Sequence, residues 1–265
     1  MGIVVKMLLW AWMVLDPGVC SVSLPDITDG NFVDECVREH NGARSSVGPP
    51  AGDMLYMTWD EGLAITARAW ARRCVFEHNI YLRDVRRVHP TFSSVGENIW
   101  TGHPPSSFNV RKAVKRWVDE KQHYDYNSNG CTKLCGHYTQ VVWASTYKVG
   151  CAVQLCPNGV KSFGPEEGVV FVCNYATAGN VNGRRPYEEG AGCSGCKGDC
   201  EDNLCRSKER DSQKRYNWTP DWDAAPATRG SDYVIILVVR PTALLFTFIT
   251  AYAVHHFYPD VFCYE

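Results

Sequence analysis

The chain has 265 residues, 45% of them apolar, enough for one large domain or two modest ones. Its 27 basic residues against 29 acidic ones leave a formal charge of −2. That balance argues against a nucleic-acid binder, which needs a concentrated basic surface. A local basic cluster, Arg83, Arg86 and Arg87, reads as the solvated face of a loop.

Residues 1–22 read as a signal peptide. Lys6 precedes a short apolar run from Met7 to Leu15, too brief to span a bilayer, and Asp16, Pro17 and Gly18 end it. A route into an oxidising compartment makes sense of thirteen cysteines. Cys20 leaves with the signal and Cys263 lies near the far end, so eleven remain between Cys36 and Cys205. Eleven is odd, and Cys36 is the candidate for the thiol left over.

Residues 24–190 read as one mixed domain. Asp29 caps a helix that carries Phe32, Cys36 and His40 on one face, with Val33 and Val37 beside them. Gly48-Pro49-Pro50 breaks the chain. Asp60 caps a second helix in which Leu63, Ala67, Trp70 and Cys74 recur at helical spacing. A third helix runs near 110–122, with Val114 and Trp117 inward. Strand alternation follows at Val149, Cys151, Val153 and Leu155, and again at Val169, Phe171, Cys173 and Tyr175. The stretch between them holds Asn158-Gly159 and Gly164-Pro165 and reads as a loop. Without a βαβ rhythm, the class is α+β, with helices packed on a mostly antiparallel sheet.

Composition changes at Gly190. Residues 191–206 form a hinge holding Cys193, Cys196, Cys200 and Cys205 with almost nothing apolar to bury, so crosslinks or a metal must shape it. In a secreted chain the reading is two disulfides rather than zinc. Residues 207–232 are polar and read as a stalk that carries a glycosylation triplet, Asn217-Trp218-Thr219, followed by Pro220. Residues 233–254 read as a transmembrane helix interrupted by Arg240 and Pro241, with 255–265 as a short tail. A cleaved lipid-anchor signal and a buried helix are the alternatives.

Two histidines and two glutamates stand in suggestive settings: His78 after the second helix, Glu97 in Gly96-Glu97-Asn98-Ile99, Glu120 one turn after Trp117, and His137 in Gly136-His137-Tyr138-Thr139-Gln140. Spacing alone does not bring them together. The run from Gly136 to Trp143, however, closely resembles the first signature of the CAP superfamily. This superfamily groups cysteine-rich secretory proteins, antigen 5 and pathogenesis-related 1 proteins. Val170-Phe171-Val172-Cys173-Asn174-Tyr175 with Gly179-Asn180 resembles the second signature, and His40-Asn41-x-x-Arg44 and Gly96-Glu97-Asn98-Ile99 resemble two further motifs.

That resemblance implies an α-β-α sandwich with an open cleft in which His78, Glu97, Glu120 and His137 meet. Two imidazoles and two carboxylates facing one cavity suit zinc or another divalent cation, with the carboxylates ligating or orienting the rings. No organic cofactor is implied. His40, Asn41, Arg44, Asn98, Tyr138 and Gln140 fall to supporting the cleft. The family pairings carried over are Cys74–Cys156, Cys151–Cys173, Cys193–Cys200 and Cys196–Cys205, with Cys131 and Cys135 closing a small loop beside His137. The function implied is a non-enzymatic extracellular module, tethered to a membrane by its C-terminal segment, for a protein, glycan or lipid ligand. A metal-assisted or hydroxyl-dependent hydrolase is the alternative in another class, against which stands the lack of a His-Glu-x-x-His or Gly-x-Ser-x-Gly motif. Sterol binding through the loop carrying Phe163 is a third reading.

Overall fold

The structure, a computed structural model, describes residues 23–84, 86–223, 238 and 240–258. The signal peptide expected over 1–22, Cys20, Cys263, the far part of the stalk and the end of the tail lie outside the described residues. Residues 22–223 form one unit, and the C-terminal helix belongs to another.

Helix α1 (Gly30–Arg44) starts where the Asp29 carboxylate accepts from the N–H groups of Asn31 and Phe32. A short strand β1 (Thr58–Trp59) leads into α2 (Glu61–Ala71), capped in the same way by Asp60 through the Leu63 N–H. Strand β2 (Gly96–Gly102), helix α3 (Val110–Val118), helix α4 (Gly136–Val141) and the long strands β3 (Lys148–Cys156) and β4 (Gly168–Ala176) complete the unit's main elements. The sheet order is β1-β3-β4-β2. β1 pairs with β3 in parallel, while β3–β4 and β4–β2 are antiparallel. β2 is therefore an edge strand.

Helices cover both faces, which makes the α-β-α sandwich. α2 lies on one face against β3 and β4. Gly150 of β3 makes that approach possible, since a Cβ there would collide with the Ala64 N–H and the Asp60 carbonyl. The other face packs α1 and α3 around Phe171. Its ring is stacked on Trp117 at 5.5 Å and met by Phe32 at 6.3 Å and Phe108 at 5.2 Å. With both faces covered, every residue of β4 is buried, and alternation gives way to a continuous apolar run.

Arg44, at the end of α1, is 1% exposed and has no carboxylate within ion-pair distance among the described residues. Its guanidinium instead donates to the carbonyls of Leu55, Val141, Trp143, Ala144 and Thr146 at 2.6–3.1 Å. A planar fork of five donors is what such a set of acceptors requires. Burial lowers its pKa to about 9, which leaves the group charged at neutral pH. Asn41, one turn earlier, exchanges two hydrogen bonds with the Met57 backbone.

Among the described residues, five disulfides join Cys74–Cys156, Cys131–Cys135, Cys151–Cys173, Cys193–Cys200 and Cys196–Cys205. Cys36 is free and buried. The hinge cysteines are thus consumed in bridges, which removes the zinc reading of that segment.

Residues 207–223, read from the sequence as stalk, are instead a strap laid along the domain. Tyr216 donates to the Asp60 carboxylate at 2.9 Å, and Lys148 donates to the Ser212 carbonyl at 2.8 Å. Trp222 is buried, stacked on Tyr81 at 5.0 Å, and donates to the Arg87 carbonyl at 2.8 Å. Three aromatic residues among polar ones give this segment an apolar face to bury.

The expected transmembrane helix also needs correction. The helix observed is α5 (Arg240–Phe257), of 18 residues, and residues 233–237 and 239 of the expected span lie outside the described set. Among the described residues no helix is long and apolar enough to cross a membrane. Arg240, Thr242, Thr247, Thr250, His255 and His256 further dilute the helix.

Replacing Arg44 with Met leaves the Leu55, Val141 and Thr146 carbonyls without a donor, since those of Trp143 and Ala144 keep the N–H groups of Thr146 and Leu55, and should destabilise the domain by about 3 kcal/mol in guanidinium unfolding. Arg44→Lys supplies only three donors and should fall between the two. Wild-type stability of the Lys variant would show that the fork is not what matters.

Candidate metal centre

The site is built on the free edge of the sheet. Glu97 and Asn98, consecutive on β2, project to opposite faces. The register shows which face each takes. Glu97 lies opposite Asn174, whose amide donates to the Leu63 carbonyl of α2, whereas Asn98 lies opposite Cys173, on the face with Phe171.

On the α2 face, the chain leaving the helix is pinned by the Cys74–Cys156 bridge and by Trp70, whose indole donates to the Glu77 carbonyl at 2.8 Å. This presents His78. Its Nδ1 donates to Glu97 Oε1 at 2.9 Å, and the Asn79 N–H donates to the same oxygen at 2.9 Å. The Glu97 side chain is fully buried while His78 is 63% exposed. Burial raises the Glu97 carboxyl above its ordinary pKa, and the hydrogen bond from His78 raises the imidazole above 6.5. Glu97 Oε2 is buried without a partner among the described residues.

On the other face, Glu120 sits in the 3-10 turn Asp119–His123 that continues α3. Its carboxylate accepts from His137 Nδ1 at 2.6 Å and from the backbone N–H groups of His137 at 3.0 Å and Tyr138 at 3.3 Å. It therefore fixes both the ring and the first turn of α4. Trp117 lies parallel to the His137 ring at 6.3 Å, and the Cys131–Cys135 bridge closes the loop just before Gly136.

The structure thus brings the four expected residues together as two pairs, His78 with Glu97 and His137 with Glu120. It does not gather all four into one cluster. Among the described residues, the only three-ligand group within 4.8 Å is Cys193, Cys196 and Cys205, whose sulfurs are already bridged. In both pairs Nδ1 carries the proton toward a carboxylate. Nε2 of each ring is left as the lone-pair nitrogen, with no partner among the described residues. This is the tautomer that carboxylate-oriented metal histidines adopt.

Asn98 ties the second pair to the core of its own face. Its amide donates to the His137 carbonyl at 3.0 Å and to the Tyr175 hydroxyl at 3.2 Å. Tyr175 in turn meets His40 Nε2 at 2.9 Å, and His40 Nδ1 donates to the Cys36 carbonyl at 2.7 Å. Because the carbonyl at the end accepts only, every proton in this line points from Asn98 toward Cys36. His40 is fully buried and its pKa is pushed down by burial to about 4, so it stays neutral. Tyr138 and Gln140 support α4 from within. Tyr138 packs on Tyr124 at 6.0 Å, and Gln140 accepts from the Gly179 N–H at 3.0 Å. Gly96 lets the Gln140 amide oxygen lie against β2, where a Cβ would displace it.

Sequence reasoning missed Tyr175, Asn79 and the ring of Trp117 as parts of the site. Tyr175 was legible only as an inward strand position. Its hydroxyl, a polar tip on a buried side chain, was the signal that a partner had to exist.

A three-layer sandwich stapled by disulfides, with two histidine–glutamate pairs at the sheet edge, defines a CAP domain. The chain belongs to the cysteine-rich secretory protein family, whose CAP description matches residues 37–175. It is 49% identical over 224 residues to GLIPR1-like protein 1 of Bos taurus, covering 81% of this chain and 89% of that one. To glioma pathogenesis-related protein 1 of Mus musculus it is 42% identical over 266 residues, covering 98% of each. Human peptidase inhibitor 16 matches at 41% over 175 residues, which is 64% of this chain and 35% of that protein. Among solved structures, the crystal structure of NaASP2 with Zn2+ has a TM-score of 0.53 at 28% identity, covering 69% of this chain and all of that one.

With His40 neutral in the fold and its unfolded pKa at 6.5, the unfolded chain takes up that proton first as pH falls. The stability His40 contributes is present above pH 6.5 and is lost as pH falls toward about 4. His40→Gln should flatten the fall in thermal midpoint across this window. An unchanged slope would assign the acid sensitivity to other groups.

Proposed function

We infer that this chain is a non-enzymatic extracellular binding module that holds a divalent ion, zinc by preference, between Nε2 of His78 and Nε2 of His137 over the free edge of β2. The observation that carries this reading is the matched tautomer of the two rings. In each, Nδ1 lies 2.6–2.9 Å from a carboxylate, an acceptor that favours the proton on Nδ1, and Nε2 has no hydrogen-bond partner among the described residues. Neutral imidazole suits zinc, and two protein ligands leave positions for solvent or a bound partner. Glu97 and Glu120 then orient the rings instead of ligating. NaASP2, a relative in fold, was crystallised with this ion. Five disulfides favour an oxidising, extracellular setting. A protein ligand is favoured over a glycan or lipid by the name of one relative, peptidase inhibitor 16.

The non-enzymatic reading has support of its own. The free thiol, Cys36, is buried and its pKa is raised by burial, so it is held protonated away from solvent. A peptide library should be turned over no faster by the pure protein than by the Glu97→Ala, Glu120→Ala variant. Measurable turnover confined to the wild type would restore the hydrolase.

Calorimetric titration of the wild type with zinc should give a binding isotherm that is absent in the His78→Ala, His137→Ala variant. Glu120→Gln should weaken affinity by about 10- to 100-fold, because it loosens the ring without removing a ligand. Affinity should fall as pH drops. The decline should begin above pH 6.5, since Glu97 strengthens the hold of His78 on the competing proton. Equal isotherms for wild type and double variant would end the proposal.

A further inference from the structure

The strap over 207–223 explains a motif that the metal site leaves unused. From Tyr216 onward it runs in alternation. Tyr216, Trp218, Pro220 and Trp222 are turned to the domain, while Asn217, Thr219 and Asp221 are exposed. The inward side is firmly held. Tyr216 is bonded to Asp60, Trp218 packs beside the buried His89 ring at 6.2 Å, and the Trp222 carbonyl accepts from Arg73 at 2.9 Å. The outward side carries Asn217-Trp218-Thr219, the sole Asn-x-Ser/Thr triplet in the 265 residues.

We propose that Asn217 carries an N-linked oligosaccharide. Two positions apart on an extended segment, the Asn217 amide and the Thr219 hydroxyl stand on the same side, the side that faces water. The Asn217 amide has no hydrogen-bond partner among the described residues, so a bulky polar substituent on it displaces nothing. Trp218 between them keeps its place against His89, so the strap stays docked under a modified side chain. The donor is a lipid-diphosphate-linked oligosaccharide of the secretory route. Its anomeric carbon–oxygen bond breaks, a carbon–nitrogen bond to Asn217 Nδ2 forms, the amide gives up one proton, and the lipid diphosphate leaves. Pro220 follows the triplet and is buried, so it is part of the strap's inner face.

The inference rests on the extracellular reading and is separable from it. The full chain is expressed in animal cells, and protein from medium, microsomes and cytosol is treated with peptide-N-glycosidase. The wild type should drop by a single mass step, with aspartate found at position 217 after treatment. Asn217→Gln and Thr219→Ala should both migrate with the treated wild type before any treatment. Their thermal midpoints should match that of the deglycosylated protein, since neither side chain packs on the domain. Wild type recovered from the medium with unchanged mass would overturn the glycan while leaving secretion standing. A chain confined to the cytosol would defeat the extracellular reading and this inference together.

Discussion

A buried guanidinium organises this domain. Arg44 ties the end of α1 to the Leu55 carbonyl and to four carbonyls of the segment that leaves α4. A charge taken out of water needs compensation in full, and here backbone dipoles supply it where a carboxylate would be usual. The consequence reaches the candidate site, because α4 carries His137 at its other end. With one end of α4 bound to Arg44 and the other to the Glu120 carboxylate, the helix has little freedom to slide.

The site depends on a property of edge strands. A strand inside the sheet has neighbours on both sides, whereas β2 pairs only with β4. Side chains from the two faces can therefore approach each other around its open side. Glu97 and Asn98, one residue apart, recruit opposite faces of the sandwich. Glu97 holds the loop after α2, and Asn98 holds the start of α4. The line from Asn98 through Tyr175 and His40 to Cys36 then anchors the same point to α1. Every member of that line is neutral and has its proton assigned by an acceptor-only carbonyl at the end, so it serves as a rigid strut at physiological pH.

Charge and burial are divided unevenly between the two pairs. His78 stands largely in solvent above a carboxylate that is buried, whereas His137 and Glu120 are both mostly covered. Among the described residues Glu97 leaves one oxygen without a partner, an unsatisfied position of the kind that gathers at functional sites. The strap adds a further layer on the α2 side, where Tyr216 joins Asp60 and His89 in a buried polar group. Asp60 thus caps α2, receives His89 and docks the strap with the same carboxylate.

Much of the fold was legible in the sequence. Asp29 and Asp60 marked helix starts, because a carboxylate there satisfies N–H groups that have no other partner. Alternation from 149 to 155 and from 169 to 175 marked the two long strands. What those local signals could not carry was convergence. His78 and Glu97 are 19 residues apart, and Glu120 and His137 are 17 apart. Only the pairing of β2 with β4 and the packing of α3 on α4 bring each pair within hydrogen-bonding reach. That each ring turns its Nδ1 to a carboxylate was likewise a matter of distances. The strap was misjudged because mean polarity hid three aromatic residues and a proline at every second position from 216 to 222, and period-two burial has meaning only when a surface exists to receive it. Sequence determined the capped helices and the alternating strands, which local chemistry sets, while the disulfide pairings, Cys74–Cys156 across 82 residues among them, came from the family resemblance. Tertiary structure decided which residues meet, because contacts across the sheet edge depend on register and layer order, which no local pattern encodes.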